Sequence, residues 1–378
     1  MKRTLALICL AALLLCTSVH AEGPTVSAPS VLLMEKTTGT VLFASGEHDA
    51  REPASVTKIM TLLLTMEAID SGALHYDDVV TASAHAASMG GSQIWLREGE
   101  RMSVRDLLKA VCIVSGNDAA VALGEHLAGS EDAFVARMNR RAQELGMRDT
   151  HFVNCTGLPA EGHVTSAHDI ALMSRELILH HPDIRQFTTV WMDSLRGGES
   201  MLVNTNKLVR FYEGATGLKT GSTDAAGCCL SATAERNGME LIAVVLKGKT
   251  SDERFADARA LLDYGFAAYG LVQVRPAEAL GMVPVTLGVQ AAVQPVLGGE
   301  STILLEKQRI AGLETTVELA ARVEAPVMQG DVLGALTVTD ADGEPVASIP
   351  LVAGEEVPRL RYWQLLRRVL AEGFCCAE

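Results

Sequence analysis

Three short stretches of the chain hold side chains that could work on a carbonyl. The first is Pro53-Ala-Ser55-Val-Thr-Lys58, a serine with a lysine three residues on, just ahead of the apolar run Ile59, Met60, Leu62, Leu63, Leu64. On a helix, positions i and i+3 share a face, so the amine can reach the hydroxyl. A serine hydroxyl becomes a nucleophile only when a base takes its proton, and lysine is that base only where burial or a neighbouring cation lowers its pKa. Taken alone, the stretch reads better as a helix start, with Pro53 in the first turn, Ser55 as a cap and Lys58 in solvent. The second stretch is Ser115-Gly116-Asn117, a hydroxyl that could relay a proton and an amide that could hold a peptide bond. The same three residues also suit a plain interhelical turn. The third is Lys219-Thr220-Gly221, followed by Ser222 and Thr223. A cation and two hydroxyls there suit a carboxylate, and Gly221 admits a close backbone. An edge strand with a solubilising lysine would look the same.

The elements that must hold these groups can be read around them. Residues 30–44 give two strands about the turn Lys36-Thr37-Thr38-Gly39, and the segment from 53 to about 185 reads as mostly helical. Ser103 with Asp106, and Ser166 with Asp169, form capping-box-like starts, while Ser130 after Gly129 opens a further helix with Phe134 and Met138 on one face and Gly146 at its stop. From about 215 the pattern changes to three strands, the last two joined at Arg236-Asn237-Gly238, a hairpin signal. A helix then carries Phe255, Ala258, Leu261, Leu262 and Tyr264 on one face. Beyond 275 come short strands parted by Gly, Pro and Asp-Gly turns. The end of the chain, from Pro358, places Tyr362, Trp363, Leu366, Val369 and Leu370 on one side of a helix and Arg361, Gln364, Arg368 and Glu372 on the other.

Composition narrows the setting. The first 21 residues carry Lys2 and Arg3, then an apolar run, then Val19-His20-Ala21, which reads as a cleavable secretory leader with the mature chain starting near Glu22. Without the two leader cations, 30 basic residues face 46 acidic ones, a net charge of −16 that argues against nucleic acid as a partner. The tail from Pro358 runs the other way, with four Arg against two Glu. It fits a helix lying on an anionic membrane surface, or equally one packed on the β domain. Six cysteines remain after the leader: Cys112, Cys155, Cys228, Cys229, Cys375 and Cys376. They show no zinc spacing and no dense disulfide framework, so Cys112 and Cys155 are expected as buried free thiols. No metal and no cofactor is expected.

Together, in this order, Ser-x-x-Lys, Ser-Gly-Asn and Lys-Thr-Gly resemble the active-site set of the penicilloyl-serine transferases, with Ser-Gly-Asn where the β-lactamases carry Ser-Asp-Asn. The flanks REPASVTKIMT, VSGNDAAVALGEHLAGSEDAFVARMN, NCTGLPAEGHVTSAHDIALM and GLKTGST are similar to the low-molecular-mass penicillin-binding proteins that are serine-type D-alanyl-D-alanine carboxypeptidases. The resemblance implies an α+β fold of the β-lactamase/transpeptidase kind, a helical cluster packed on an antiparallel sheet. It divides the chain into a leader (1–21), a catalytic domain (22–270), a small all-β domain (275–357) and a membrane-associating tail (358–378). It implies a peptidoglycan stem peptide ending in D-Ala-D-Ala as substrate, β-lactams as inhibitors, and a place outside the cytoplasmic membrane.

Carried onto this chain, the resemblance makes Ser55 the nucleophile, Lys58 its general base and Ser115 the proton relay. Asn117 would hold the peptide, Lys219 would help keep Lys58 neutral, and Lys219 with Thr220, Gly221, Ser222 and Thr223 would contact substrate. The backbone N–H groups of Ser55 and Ser222 would form the oxyanion hole, and Arg254 would take the terminal carboxylate. A class A β-lactamase is the rival enzyme. It needs a further carboxylate to activate water, and Glu161 is the acid considered for it. The non-enzymatic rival is a wall-binding module with a silent site.

Overall fold

The computed structural model describes residues 23–375 (side chains to 368); the leader lies outside these residues, as do Cys376 and the side chain of Cys375. The chain divides into two compact units, up to Gly265 and from Phe266 onward. Each is described by itself.

The first unit is built on a five-stranded antiparallel sheet. Its strands are β1 (Ser30–Glu35), β2 (Val41–Ser45), β3 (Ala215–Thr223), β4 (Gly227–Arg236) and β5 (Met239–Gly248), in spatial order β2-β1-β5-β4-β3. Both ends of the segment thus meet in one sheet, with β1 registered on β5 through Val31–Val245 and Leu33–Ala243. Asn237 and Gly238, both at positive φ, make the two-residue turn between β4 and β5. β3 is left as an edge.

Helix α1 (Lys58–Asp70) runs through the middle of this unit. Ile59, Met60, Leu62, Leu63 and Met66 have no exposed surface, and Thr61 and Thr65 are buried with them. Its first turns are buried on every side and need no amphipathic stripe; only from Leu64 on do Leu64, Glu67, Ala68 and Asp70 reach toward solvent. Around it stand α2 (Val104–Ile113), α3 (Asn117–Ala128), α4 (Glu131–Glu144) and α5 (Ala167–His180); α6 (Ser251–Ala268) follows β5. The side chains of Ser103, Ser130 and Ser166 each accept the backbone N–H three residues on, so all three expected helix starts are real caps. Gly129 and Gly146 end their helices at positive φ.

Two stretches depart from the helical expectation for 53–185. Val79–Thr81 pairs with Arg101–Ser103 as a two-stranded ribbon, and residues 88–100 between them are mostly irregular. Residues 145–166 form a long loop. Gly90-Gly91, Gly99, Gly157 and Gly162 interrupt the pattern there, and polar caps replace periodicity.

The second unit is all-β apart from short helical pieces and the terminal helix. Sheets of four strands (Pro295–Leu297, Glu314–Leu319, Val332–Thr339, Pro345–Ala353) and three strands (Val283–Thr286, Ala292–Val293, Val323–Glu324) enclose two small apolar clusters, and Tyr269–Gln273 pairs with Thr302–Glu306. The chain ends in α7 (Tyr362–Cys375), with Tyr362 and Trp363 each 71% exposed. Among the described residues no helix is long and apolar enough to cross a membrane.

Candidate active site

Ser55 lies in a 3-10 turn, Ala54–Thr57, that leads directly into α1. In a 3-10 turn residues i and i+3 eclipse, which aligns Ser55 with Lys58 more closely than an α-helix would. No side-chain cap bond forms at either helix start, so the expectation that Ser55 caps the helix is corrected: its hydroxyl faces Lys58 Nζ, 2.9 Å away. Lys58 is not in solvent. It is completely buried, and Nζ also lies 2.6 Å from Asn117 Oδ1 and 2.7 Å from the Thr156 carbonyl.

These contacts settle what the amine can do. Asn117 Nδ2 donates to Gly90 O at 2.6 Å, so its Oδ1 is the atom turned to Lys58. That oxygen and the Thr156 carbonyl can only accept, so they take two N–H bonds from Nζ. In the neutral amine the remaining lone pair points to Ser55 Oγ, whose hydroxyl then donates to it. Burial, with the Lys219 charge adding to it, holds Lys58 well below the ordinary lysine value. Lys219 is itself buried and donates to the Thr220 carbonyl at 2.9 Å. Burial lowers it to about 7; the Cys112 thiol opposes the shift and Arg254 adds to it.

The turn before Lys58 is held by close contacts. Ala54 sits at φ 49, a region costly for a residue with a side chain. A Cβ on Gly157 would lie 1.8 Å from Ala54 O, and one on Gly221 would lie 2.8 Å from Ser55 N. Only glycine lets the 153–158 loop and strand β3 come this near to Ser55. Below the turn, His163 Nδ1 accepts the Val153 N–H, which leaves Nε2–H to donate to Thr57 Oγ1 at 2.8 Å. Burial lowers His163 to about 4 and so keeps it neutral.

The other expected residues take definite places. Ser115 breaks the α2–α3 connection at φ 63, and its buried hydroxyl has no hydrogen-bond partner. Thr220 Oγ1 shares a hydrogen bond with Thr205 Oγ1. Ser222 is exposed on β3, and Thr223 Oγ1 accepts the Ala226 N–H in the turn to β4. The Arg254 guanidinium is largely buried. Its Nη1 donates to Gly221 O at 3.0 Å and Cys229 O at 3.3 Å, its Nη2 to Ser251 Oγ, and its Nε has no partner. It therefore braces β3 through the Gly221 carbonyl and ties it to β4 through that of Cys229. Glu161 is exposed on a turn, while the neighbours of Lys58 Nζ are Ser55, Asn117 and Thr156. Cys112 and Cys155 are buried free thiols.

Three contributors escaped sequence reasoning. The Thr156 carbonyl is backbone and carries no residue-type signal. His163 stood inside a quoted motif without a partner to suggest its role. Asp118, completely buried, accepts the backbone N–H groups of Ile94, Leu96 and Ala119 and so fastens the 90–96 loop beside Asn117. Its signal was an acid in the first turn of α3. Among the described residues no group of His, Cys, Asp and Glu comes together as a metal site.

Comparison with known proteins gives the family. Residues 17–250 match the D-alanyl-D-alanine carboxypeptidase family, and residues 275–359 match the C-terminal domain of penicillin-binding protein 5. D-alanyl-D-alanine carboxypeptidase DacF of Bacillus subtilis is 40% identical over 350 residues, 91% of this chain and 90% of its own length. Penicillin-binding protein 5 of Haemophilus influenzae superposes with a TM-score of 0.80 at 29% identity, covering 90% of this chain and all of that one. Penicillin-binding protein D2 of Listeria monocytogenes in its ampicillin-bound form is 34% identical, with a TM-score of 0.59 over 64% of this chain and 98% of that one. The chain belongs to the D-alanyl-D-alanine carboxypeptidase family of low-molecular-mass penicillin-binding proteins and is a serine-type peptidase.

Proposed function

We propose that the protein removes the terminal D-alanine from peptidoglycan stem peptides through an acyl-enzyme on Ser55. The observation that carries this reading is the Lys58 amine, 2.9 Å from Ser55 Oγ with its two N–H bonds committed elsewhere. Ser55 Oγ attacks the carbonyl carbon of the penultimate D-alanine as its proton passes to Lys58 Nζ. The developing oxyanion is met by the Ser55 and Ser222 N–H groups. The C–N bond then breaks, the proton reaches the leaving amine by way of Ser115, and water later cleaves the ester. Asn117 aligns the peptide, and Lys219 with Thr220 and Thr223 receives the terminal carboxylate. Arg254, bonded to the Gly221 carbonyl, acts through the strand that carries these groups.

A β-lactam presents a strained amide in the same place and acylates Ser55 in the same way; the likeness to an ampicillin-bound relative supports this. The leader and the basic, aromatic tail support a location on the outer face of the cytoplasmic membrane. The test is release of free D-alanine from a peptide ending in D-Ala-D-Ala, run beside covalent labelling by benzylpenicillin. Wild-type protein is expected to do both, and Ser55→Ala neither. Labelling of the alanine variant would remove Ser55 as the nucleophile.

A further inference from the structure

The 90–96 loop that Asn117 and Asp118 hold in place carries a group the reaction above does not use. Asn117 N donates to Ser92 O at 2.7 Å, and the Asp118 carboxylate accepts from Ile94 N and Leu96 N. Ile94 and Leu96 are buried at 5% exposure each, but Trp95 between them is 74% exposed. Its backbone is held at φ 61, and Arg196 across the same cleft is held at φ 54. Non-glycine residues persist in this region only where several contacts over-determine them. Here the Arg196 guanidinium supplies them, bonding Ile94 O, Glu100 and Ser200 Oγ.

The cleft between the two residues has a volume of about 680 Å³, a size suited to a small ligand. Its lining includes Trp95, Arg97, Glu98, Glu100, Arg196 and Glu199. Three acids and two bases give no dominant sign, which disfavours a strongly anionic or cationic guest. An apolar platform with polar groups of both signs suits a neutral ring that is apolar on one face and hydroxylated at its rim. The chain fixes the distance scale: Trp95 is five residues from Gly90, whose carbonyl holds Asn117, so it lies within about 18 Å of it. An extended stem peptide of a few residues spans a comparable length.

We propose that this cleft is a subsite for an amino-sugar ring of the glycan chain that bears the stem peptide, with Trp95 as its stacking platform. The proposal rests on the peptidase reading, because it concerns the same substrate's distal end. Free D-Ala-D-Ala peptide and the same peptide attached to a disaccharide of N-acetylglucosamine and N-acetylmuramic acid are compared, with rates normalised to the penicillin-reactive fraction. In Trp95→Ala the ratio of kcat/KM for the glycan-linked over the free peptide is expected to fall about tenfold, and in Trp95→Phe by less. An unchanged ratio in both variants overturns the subsite, even if both rates drop together. In wild-type protein the free disaccharide is expected to quench indole fluorescence at millimolar concentration, more than in Trp95→Phe. No such difference also overturns it. Loss of free-peptide hydrolysis in the wild type would instead strike the peptidase reading.

Discussion

The chemistry at the residue scale depends on two buried lysines that cannot both be charged at low cost. Lys58 and Lys219 are 0% and 1% exposed, and each has its pKa lowered first by burial. The charge on Lys219 then pushes Lys58 further down, which keeps the amine facing Ser55 free to accept a proton. Lys219→Gln removes that repulsion. The protonated form of Lys58 gains relative stability, its pKa rises, and the acidic limb of Ser55 acylation moves to higher pH. The rate of benzylpenicillin labelling as a function of pH checks this. The position of the limb is the readout, because the variant also weakens substrate anchoring and lowers the rate at every pH. A limb that stays in place would assign the Lys58 shift to burial alone. The serine, the lysine and their spacing were all legible in the sequence, and so was the need for a lowered lysine pKa. The acceptors that aim the amine were less so: one is a backbone carbonyl, and the other is an amide whose orientation is set by a second carbonyl at Gly90.

At the scale of elements, Ser55, the proposed nucleophile, sits on a turn wedged between a loop and an edge strand. Its position is set by what the two glycines leave out. Gly157→Ala would drive a methyl group into Ala54 O, which is backbone and cannot turn aside. The added strain of φ +82 applies as well, so a loss of about 3 kcal/mol or more is expected. Gly162→Ala is the control: its φ is +80, but the nearest atom stands 4.0 Å away, so only the backbone cost of about 1 kcal/mol remains. Denaturant midpoints with penicillin-labelling rates distinguish the two. Equal losses would mean that the contact with Ala54 can relax and does not position Ser55. The capped helices and the β4–β5 hairpin were readable because a Ser, a Gly or an Asn-Gly carries a local reason for its conformation. The loops at 88–100 and 145–166 were not. Their shape is set by hydrogen bonds to Asp118, Asn117 and Asn154 from distant or backbone partners, and such bonds leave no periodic trace.

For the whole molecule, the contrast is between a strongly acidic chain and a tail of opposite sign. The net charge of −14 should keep the protein away from an anionic bilayer, yet the residues after Leu360 add Arg361, Arg367 and Arg368 next to two exposed aromatics. A basic residue near an anionic surface contributes about 1 kcal/mol; Glu372 and Glu378 offset two of the three arginines, so the segment's net +1 opposes the repulsion by about 1 kcal/mol before any apolar insertion. Tyr362 and Trp363, with rings 5.3 Å apart, and the partly exposed Leu366 supply apolar and interfacial surface. Arg359 and Leu360 belong to the β unit: Leu360 N donates to Leu287 O, and Arg359 bridges to Gly288. The informative truncation therefore removes 361–378 and leaves that pairing intact. Sedimentation with vesicles rich in anionic lipid is expected to fall by at least about fivefold, a figure set by the segment's net charge alone, with the loss of the aromatic surface adding to it. D-Alanine release from a soluble peptide should persist, because Ser55, Lys58, Asn117 and Lys219 all lie in the unit that ends at Gly265. Raised salt should weaken the full-length protein's binding only in part, since the aromatic contribution is not screened. Should the truncated protein sediment as well as the full chain, the tail is not the membrane anchor.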